Sequence, residues 1–319
     1  MPYRSGSSWM SVNLSIIVPL YNEEKNVDLL YRSIVQFIDP LGIHYEMLFV
    51  DDGSRDGTFL LARQLAENDR RLRVIKFRKN YGQTAAMAAG IEYAGGKILI
   101  TMDGDLQNDP ADIPKFIEKI NEGYDIVCGW RHKRQDKLIS RRIPSVVANW
   151  LIGKITGVPI KDNGCSLKAY RAGIIKSIPL YSDMHRFIPA MTSLAGTSVA
   201  ELKVNHHPRR FGVSKYGITR IYKVMVDLLV IKILLSFSKS PLRLFATAGI
   251  VSLLAAILLL TVSITGLFEG KLEMNFMVAS CALLFAILSF FFVLIGLLGE
   301  LVLKTGNFPD LFHLKARTE

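Results

Sequence analysis

Cysteine is scarce in this 319-residue sequence, and the common glycine-rich nucleotide-binding motifs are missing from it. The three cysteines, Cys128, Cys165 and Cys281, are an odd number without metal-binding spacing, so we expect free thiols in a reducing compartment. No Gly-x-Gly-x-x-Gly follows the first predicted strand, which argues against a dinucleotide oxidoreductase. No Gly-x-x-x-x-Gly-Lys-[Ser/Thr] occurs either, which argues against a P-loop nucleotidase.

Charge is absent from two long stretches near the C-terminus, residues 244–268 and 276–299. Each is long enough to cross a bilayer core of about 30 Å. Basic residues are frequent before the first stretch and recur after the second, whereas the connection 269–275 holds one lysine. The positive-inside rule therefore predicts two membrane spans with both termini in the cytoplasm. The net charge of +11 then indicates an anionic membrane rather than nucleic acid, for which no motif is present. The polar start of the chain does not resemble a signal peptide.

Short apolar runs alternate with helical patterns over the first half of the chain. Strands are predicted at residues 14–20, 45–50, 72–77, 97–102 and 125–128, and helices at 27–38, 59–68 and 84–94. This alternation predicts an α/β domain with a mainly parallel sheet. Ligands of such sheets bind beyond the carboxyl ends of the strands.

Two carboxylates, Asp103 and Asp105, follow the fourth predicted strand, and the carboxamide of Gln107 comes two residues later. Adjacent carboxylates repel each other unless a cation joins them, and oxygen ligands suit Mg²⁺ or Mn²⁺ beside substrate phosphates. The stretch therefore predicts a metal–diphosphate site. The alternative is an acidic loop in which Asp109 or Asp112 caps the next helix. The first and second predicted strands also end in carboxylates, which favours the site.

Basic residues follow the sheet at 129–134, 140–145 and 206–217. They are predicted either to bind anions or to form solvated loops, and the glycines of 206–217 indicate a mobile loop. Apolar positions at helical spacing in residues 218–240 predict an amphipathic helix in the membrane interface. A helix packed on the preceding domain is the alternative.

Six motifs between residues 16 and 217 together resemble glycosyltransferase family 2, and within it the polyprenyl-phosphate glycosyltransferases. Bactoprenol glucosyltransferases and dolichol-phosphate mannosyltransferases belong to this group. The motifs are Val18-Pro19-Leu20-Tyr21-Asn22-Glu23, Val50-Asp51-Asp52-Gly53-Ser54, Asn80-Tyr81-Gly82-Gln83, Asp103-Gly104-Asp105-Leu106-Gln107, Asp162-Asn163-Gly164-Cys165 and His207 through Gly217. The C-terminal tail departs from the basic, tyrosine-containing tail of many relatives.

The resemblance implies a GT-A fold, an inverting transfer and a role for each motif. The nucleotide sugar would lie against Pro19, Tyr21, Glu23, Asp51, Gln83 and Asp103. Mg²⁺ or Mn²⁺ would be held by Asp103, Asp105 and Gln107. The catalytic residues would be Asp162 and Asp105. The lipid phosphate would be held by Arg131, Arg141, Ser145, Arg209, Ser214 and Lys215.

The implied reaction moves a hexose, with UDP-glucose as the expected donor, to a polyprenyl phosphate at the cytoplasmic membrane face. GDP-mannose is the alternative donor, and a non-catalytic nucleotide-sugar-binding membrane protein is a further alternative. A processive polysaccharide synthase is disfavoured because no Gln-x-x-Arg-Trp occurs. The expected organisation is a GT-A domain (1–217), an interfacial segment (218–240), two membrane helices (241–303) and a cytoplasmic tail (304–319). A homo-oligomer is compatible with this organisation.

Overall fold

The computed structural model describes residues 12–132, 153–154, 157–158, 160–178, 180, 187–193, 196–209, 211, 233, 237, 240–268 and 272–305. The chain divides into two compact units near residue 229.

The first unit alternates strands and helices. Its strands are β1 (Leu14–Leu20), β2 (Tyr45–Asp51), β3 (Leu72–Lys76), β4 (Ile98–Thr101), β5 (Ile126–Trp130), β6 (Lys168–Arg171) and β7 (Val199–Lys203). Its α-helices are α1 (Glu24–Ile38), α2 (Thr58–Asn68), α3 (Gln83–Tyr93), α4 (Ile113–Asn121), α5 (Ala172–Ile175) and α6 (Ile188–Ser193). Short 3₁₀ turns lie at Asp39–Leu41 and Pro110–Asp112.

The seven strands within the described residues form one sheet in the order β3-β2-β1-β4-β6-β5-β7. Strand β6 runs antiparallel to β4 and β5, and the other pairs are parallel. The carboxyl ends of β1, β2, β4 and β5 therefore meet at one edge of the sheet. The predicted α/β architecture with a mainly parallel sheet is confirmed.

The sheet is buried on both faces, which explains why β1 and β2 are apolar almost throughout. One apolar cluster joins the sheet to α1 and α4, and a second joins it to α3 and α5. Helix α3 lies very close to β1, since a Cβ on Gly90 would collide with the side chain of Ile17. The small residues of α3 thus permit a close helix–sheet contact.

Most predicted elements differ from the structure only at their ends. Helix α1 begins at Glu24 rather than at residue 27, and β2 continues to Asp51. Strand β7 is not among the predicted strands, because its sequence Val-Ala-Glu-Leu-Lys contains no apolar run. In the structure its first four residues are half-exposed. The carboxylate of Asp109 accepts the N–H of Ala111 at 3.0 Å at the start of the turn before α4, so its expected capping role is present.

The second unit contains two long apolar helices, α7 (Pro241–Phe268) and α8 (Leu272–Thr305). Both are long and apolar enough to cross a membrane. Ser252 Oγ of α7 donates to the carbonyl of Phe285 in α8 at 2.7 Å, and Gly249 lies close to the Ser289 carbonyl. The two helices therefore pack through small residues, as membrane helices do. The predicted interfacial helix at 218–240 lies almost wholly outside the described residues.

Candidate functional site

Polar side chains follow β1, β2 and β4 where these strands meet at one edge of the sheet. The turn after β1 is joined to the turn after β2 by reciprocal bonds. Asn22 N–H donates to Ser54 Oγ at 2.9 Å, and Arg55 N–H donates to Asn22 Oδ1 at 2.9 Å. Asn22 has φ +53°, a conformation that asparagine tolerates better than most residues. The two turns thus form one joined wall at this edge of the sheet.

Asp51, at the end of β2, is fully buried in this wall. Its Oδ1 accepts the N–H of Ser54 at 3.2 Å. Within the described part of the chain, its buried Oδ2 has no hydrogen-bond partner. A buried carboxylate oxygen without a partner is costly, so this atom is suited to accept an N–H from a ligand.

Three further predicted residues lie near Asp51 at the end of β1: Pro19 within the strand, and Tyr21 and Glu23 in the turn after it. Pro19 and Tyr21 are half-buried. Glu23 N–H donates to Thr58 Oγ1 at 2.8 Å, and its carboxylate accepts from Asn26 Nδ2 at 2.5 Å. The carboxylate of Glu23 therefore also braces the start of α1.

Asp52 holds the loop before α3 in place, a role that was not predicted from the sequence. Its two oxygens accept the N–H groups of Tyr81 at 2.7 Å and Gly82 at 2.9 Å. The pKa of Asp52 lies above its ordinary value, because burial and, to a smaller extent, the charge of Asp51 raise it. The two N–H bonds oppose this rise only in part. The bonds fix the loop before α3, which delivers Gln83 to the site. Gln83 Nε2 donates to Asp103 Oδ1 at 2.6 Å.

The loop after β4 presents the two predicted metal-binding carboxylates. Gly104 lies between them, and a Cβ there would collide with the side chain of Leu20 and lie 3.3 Å from the carbonyl of Pro19. Only glycine lets the loop lie this close to the end of β1. Leu106 has φ +61°, which is rare outside glycine and asparagine. The loop is held in a strained conformation that turns Asp105 inward.

The two carboxylates of this loop interact with each other and with cationic side chains. Burial and the charge of Asp105 raise the pKa of Asp103, whereas Ser166, Arg131 and Lys168 act in the opposite direction. Asp105 is buried and forms an ion pair with Arg209, Nη2 to Oδ2 at 2.6 Å. Two neighbouring carboxylates thus meet cationic side chains from other parts of the chain.

Gln107 takes part in the loop through its backbone and its side chain. Its N–H donates to Asp105 Oδ1 at 3.2 Å, and its Nε2 donates to the carbonyl of His207 at 3.4 Å. His207 N–H donates back to the Gln107 carbonyl at 2.9 Å. The segment 205–209, which follows β7, is therefore paired with the Asp103–Asp109 loop.

Arg131 and Asp162 form a bidentate ion pair beside the carboxylate loop. Nε donates to Oδ2 at 2.7 Å, Nη2 donates to Oδ1 at 2.8 Å, and the Arg131 N–H also donates to Oδ2 at 3.2 Å. Burial lowers the pKa of Arg131, but the hydrogen bonds and the charge of Asp162 outweigh burial and raise it. The structure thus joins two residues to which the sequence assigned separate roles.

Asn108 and Lys168 are two buried residues that sequence reasoning missed. Asn108 Oδ1 accepts the N–H of Asp103 at 3.1 Å and the hydroxyl of Ser166 at 2.9 Å. Lys168 is 2% exposed, and its ammonium donates to the carbonyl of Asn163 at 3.1 Å. Both connect the carboxylate loop to the turn that carries Asp162. The available signal was a lysine between Leu167 and Ala169 at the start of a short strand, because a buried charge is rarely tolerated unless it is paired.

Four predicted lipid-phosphate residues, Arg141, Ser145, Ser214 and Lys215, lie outside the described residues. The structure therefore brings together Asp51, Gln83, Asp103, Asp105, Gln107, Arg131, Asp162 and Arg209 at one edge of the sheet. This set contains carboxylates for a cation and arginines for anionic groups.

Residues 15–178 match Glycosyl transferase family 2. The chain belongs to this family. It is 44% identical over 244 residues to a dodecaprenyl-phosphate galacturonate synthase of Rhizobium johnstonii, which covers 75% of this chain and 72% of the relative. It is 35% identical over 292 residues to an undecaprenyl-phosphate 4-deoxy-4-formamido-L-arabinose transferase of Shewanella sediminis. This alignment covers 91% of this chain and 86% of the relative. The protein is a glycosyltransferase.

The fold is similar to that of a solved synthase structure. The structure of glucosyl-3-phosphoglycerate synthase from Mycobacterium tuberculosis, in complex with Mn²⁺, uridine diphosphate and phosphoglyceric acid, aligns with a TM-score of 0.56 at 18% identity. The alignment covers 72% of this chain and 84% of that chain. The predicted GT-A fold is confirmed.

The residues present fit a divalent ion that is shared with a substrate. Among the described residues, no group of three or more His, Cys, Asp or Glu side chains is arranged to hold a metal on its own. The buried Asp105 and the half-buried Asp103 nevertheless supply two neighbouring carboxylates. Mg²⁺ is usually bound by one or two carboxylates and completed by substrate phosphates and water, so this donor set is sufficient.

Proposed function

We propose that this glycosyltransferase moves a sugar from a nucleoside diphosphate to a polyprenyl phosphate, with inversion at the anomeric carbon. The observation that carries the proposal is that Asp103 and Asp105 lie beside the Arg131–Asp162 pair at the carboxyl edge of the sheet. The two carboxylates are suited to bind a cation together with a diphosphate. The Arg131–Asp162 pair holds an arginine where it can bind a second anion, the acceptor phosphate. Both relatives are named as transferases or synthases of polyprenyl-phosphate-linked sugars, which supports this acceptor.

The donor half of the site is formed by the ends of β1, β2 and β4. Asp51 Oδ2 would accept an N–H of the base, and Gln83 would orient Asp103. Asp103, Asp105 and Gln107 would hold the divalent ion, Mg²⁺ or Mn²⁺, which when bound stabilises negative charge on the leaving diphosphate.

The acceptor half needs little acid–base chemistry. The second pKa of a phosphate monoester is about 6, so the attacking oxygen is largely ionised at pH 7. In our proposal Asp162 is therefore not a general base but holds the Arg131 guanidinium towards the acceptor phosphate. Arg209 would face the phosphates as well. Arg141, Ser145, Ser214 and Lys215 remain predicted contacts of the lipid phosphate.

The sugar is proposed from the relatives and the nucleotide from the fold neighbours. The two-span arrangement predicts UDP-glucose, whereas the relatives are named for galacturonate and formamido-arabinose. We rank galacturonate first, because that relative has the higher identity, and glucose and formamido-arabinose next. Uridine diphosphate in the neighbouring structure supports a UDP donor over GDP-mannose.

We further propose that α7 and α8 cross the membrane and that the GT-A domain and both termini are cytoplasmic. The length and composition of the two helices support the spans. The excess of basic residues on either side of the helix pair supports the orientation. The domain limits predicted from the sequence, 1–217, 218–240, 241–303 and 304–319, are kept as part of this proposal.

The proposal is tested with the full-length protein in detergent, undecaprenyl phosphate and a panel of radiolabelled donors. The panel contains UDP-galacturonate, UDP-glucose, UDP-4-deoxy-4-formamido-L-arabinose and GDP-mannose. We expect one UDP-sugar to label the lipid, and EDTA to abolish labelling until Mg²⁺ or Mn²⁺ is added back. Asp103→Asn is the inactive control.

Two results would contradict the proposal. If no donor labels the lipid while UDP still binds, the chain is a nucleotide-sugar-binding protein without transfer activity. If labelling persists in EDTA, the role of Asp103 and Asp105 in holding an ion is wrong.

A further inference from the structure

We infer that Arg209 is the built-in counter-ion of Asp105, and that a divalent ion therefore enters this site with the nucleoside diphosphate rather than before it. This inference rests on the proposed function, because it assumes that Asp105 is one of the ligands of the ion. It adds an order of binding and names the residue that imposes this order.

The Arg209–Asp105 ion pair is short and sheltered from solvent. The distance from Nη2 to Oδ2 is 2.6 Å, and the side chains are 24% and 9% exposed, respectively. An arginine in this place occupies the carboxylate oxygen that an entering ion would need. A cation that binds alone must therefore first displace the guanidinium.

Backbone pairing, not only a flexible side chain, brings Arg209 to Asp105. His207 N–H donates to the Gln107 carbonyl, and Asn108 forms a β-bridge with His206. Asn205 N–H donates to Asp112 Oδ2 at 2.7 Å. Segment 205–209 is thus attached to the carboxylate loop at several points, and Arg209 starts from a fixed backbone position.

Asp103 and Asp105 belong to a group of six interacting charged side chains that carries no net charge before any ion arrives, whereas Asp109 of the same loop lies outside this group and bonds to His207. Three of the six are anionic and three are cationic: Asp103, Asp105, Asp162, Arg131, Lys168 and Arg209. A bare divalent ion would add two positive charges to a buried neutral set, which is costly. An ion already bound to a diphosphate adds almost no net charge, and the diphosphate accepts the displaced Arg209 guanidinium. The site is therefore suited to the ion–diphosphate complex.

The inference predicts that neutralising Arg209 allows an ion to bind alone. A nearby opposite charge changes the proton affinity of a carboxylate by about one to three orders of magnitude, and we expect competition with a metal ion to be of similar size. Arg209→Gln should therefore bind Mn²⁺ without nucleotide at least about tenfold more tightly than the unaltered protein.

The test measures Mn²⁺ binding by electron paramagnetic resonance, which reports free Mn²⁺ and needs no turnover. Full-length protein in detergent is titrated with Mn²⁺ alone, with UDP and, in parallel, with GDP. The unaltered protein should bind Mn²⁺ weakly alone and much more tightly with the nucleotide. In Arg209→Gln this nucleotide dependence should largely disappear.

Three variants serve as controls. Arg209→Lys keeps the charge and should behave like the unaltered protein. Lys203→Gln removes one exposed positive charge at the end of β7 without contacting Asp105, and it should leave Mn²⁺ affinity unchanged. Arg209→Met replaces Arg209→Gln if the latter unfolds, as judged by thermal melting.

The outcomes separate this inference from the function on which it rests. The counter-ion role would be overturned if the unaltered protein and Arg209→Gln bind Mn²⁺ equally well without nucleotide. If both also bind Mn²⁺ tightly with UDP, the metal–nucleotide site itself is intact. Tight nucleotide-free binding by the unaltered protein would also overturn the counter-ion role. Failure of every variant to bind Mn²⁺, even with nucleotide, would overturn both.

Discussion

Arg131 and Asp162 are 31 residues apart in the sequence, yet their side chains form two parallel hydrogen bonds of 2.7 and 2.8 Å. The arginine lies directly after β5 and the aspartate lies in the turn before β6. These two strands are antiparallel neighbours, so the sheet itself brings the residues together. Both oxygens of the Asp162 carboxylate therefore bind the Arg131 guanidinium.

Asp162→Asn is expected to lower stability and turnover without changing the shape of the pH profile. The substitution leaves the buried Arg131 without its counter-charge, and breaking a buried pair from one side costs about 3–5 kcal/mol. A general base would instead leave its own ionisation in the profile of the unaltered enzyme. Thermal melting and lipid labelling between about pH 6 and 8 measure the two effects.

The control for Asp162→Asn is Glu67→Gln, which breaks the exposed 3.0 Å pair with Arg63. An exposed pair contributes about 0–1 kcal/mol, so melting and labelling should hardly change. Turnover of Asp162→Asn close to that of the unaltered protein would show that neither Asp162 nor its hold on Arg131 matters to the reaction.

Asp103→Asn is expected to stabilise the metal-free protein at neutral pH while abolishing transfer. Burial and Asp105 raise the pKa of Asp103 in the folded state. The folded protein then binds this proton more tightly than the unfolded chain, so stability falls as pH rises from about 4, the ordinary value, through the raised pKa. Asparagine removes this loss and can still accept the bond from Gln83.

The measurement is the melting temperature in EDTA at about pH 4 and pH 7. A gain of about 1 kcal/mol raises it by about 2–4 °C for a domain of this size. The gain should be present at the higher pH and absent at the lower one. Asp28→Asn, on the exposed side of α1, controls for the loss of a carboxylate. A lower melting temperature for Asp103→Asn at neutral pH would contradict the prediction.

Asp51→Asn is expected to weaken UDP binding without unfolding the protein. The free oxygen of Asp51 is buried and has no partner among the described residues, so its loss removes no internal bond. A hydrogen bond to a charged acceptor contributes about 1.5–3 kcal/mol, which corresponds to roughly tenfold or more in Kd. Isothermal titration with UDP and Mg²⁺ measures the change.

Asp56→Asn is not a suitable control for Asp51→Asn, because Asp56 bonds to Thr58 in the same turn. Asp28→Asn is used again, and its UDP affinity should equal that of the unaltered protein. If Asp51→Asn binds UDP with unchanged affinity, the base does not contact this carboxylate.

Gly104→Ala is expected to disrupt the carboxylate loop. The added methyl group would collide with the side chain of Leu20, and inserting carbon atoms into a packed place typically costs about 1–3 kcal/mol. We expect a lower melting temperature and a loss of labelling of at least tenfold, since Asp103 and Asp105 must shift. Both are measured on the full-length protein.

A second substitution distinguishes a steric effect from a general glycine effect. Gly173→Ala adds the same methyl group in α5, where no atom lies within 4 Å, and should be silent. The double variant Gly104→Ala/Leu20→Ala should recover part of the lost labelling, because it vacates the colliding volume. Failure of the double variant to recover any activity would exclude this collision as the cause.

The donor half of the site could be predicted because its parts are local in sequence. An apolar run followed at once by carboxylates places Asp51 and Asp103 at strand ends, and parallel strands bring their ends to one edge. The same reasoning could not separate Asp51 from Asp52. The two residues are adjacent in the sequence. Asp51 has a buried oxygen without a partner among the described residues, whereas both oxygens of Asp52 bind the loop before α3.

The acceptor half depends on contacts between distant segments, which local patterns do not encode. The Arg131–Asp162 pair follows from the antiparallel β5–β6 pairing, and the Arg209–Asp105 pair follows from the path of the chain after β7. Since β7 has no apolar run, no local pattern places residue 209 against residue 105. The burial of Lys168 follows from the position of β6 inside the sheet, between β4 and β5.

The bonds between Asp52 and the N–H groups of Tyr81 and Gly82 have a consequence for phosphate recognition. Many nucleotide-binding folds bind phosphate with the free N–H groups at the start of a helix that follows a strand. Here an internal carboxylate binds the N–H groups of the two residues that precede α3, Tyr81 and Gly82, and places a negative charge at the start of this helix. In the proposed reaction the diphosphate would therefore be neutralised by exchangeable cations rather than at this helix start. Such a site can release its charged product when these cations move, whereas a rigid backbone cradle would retain it.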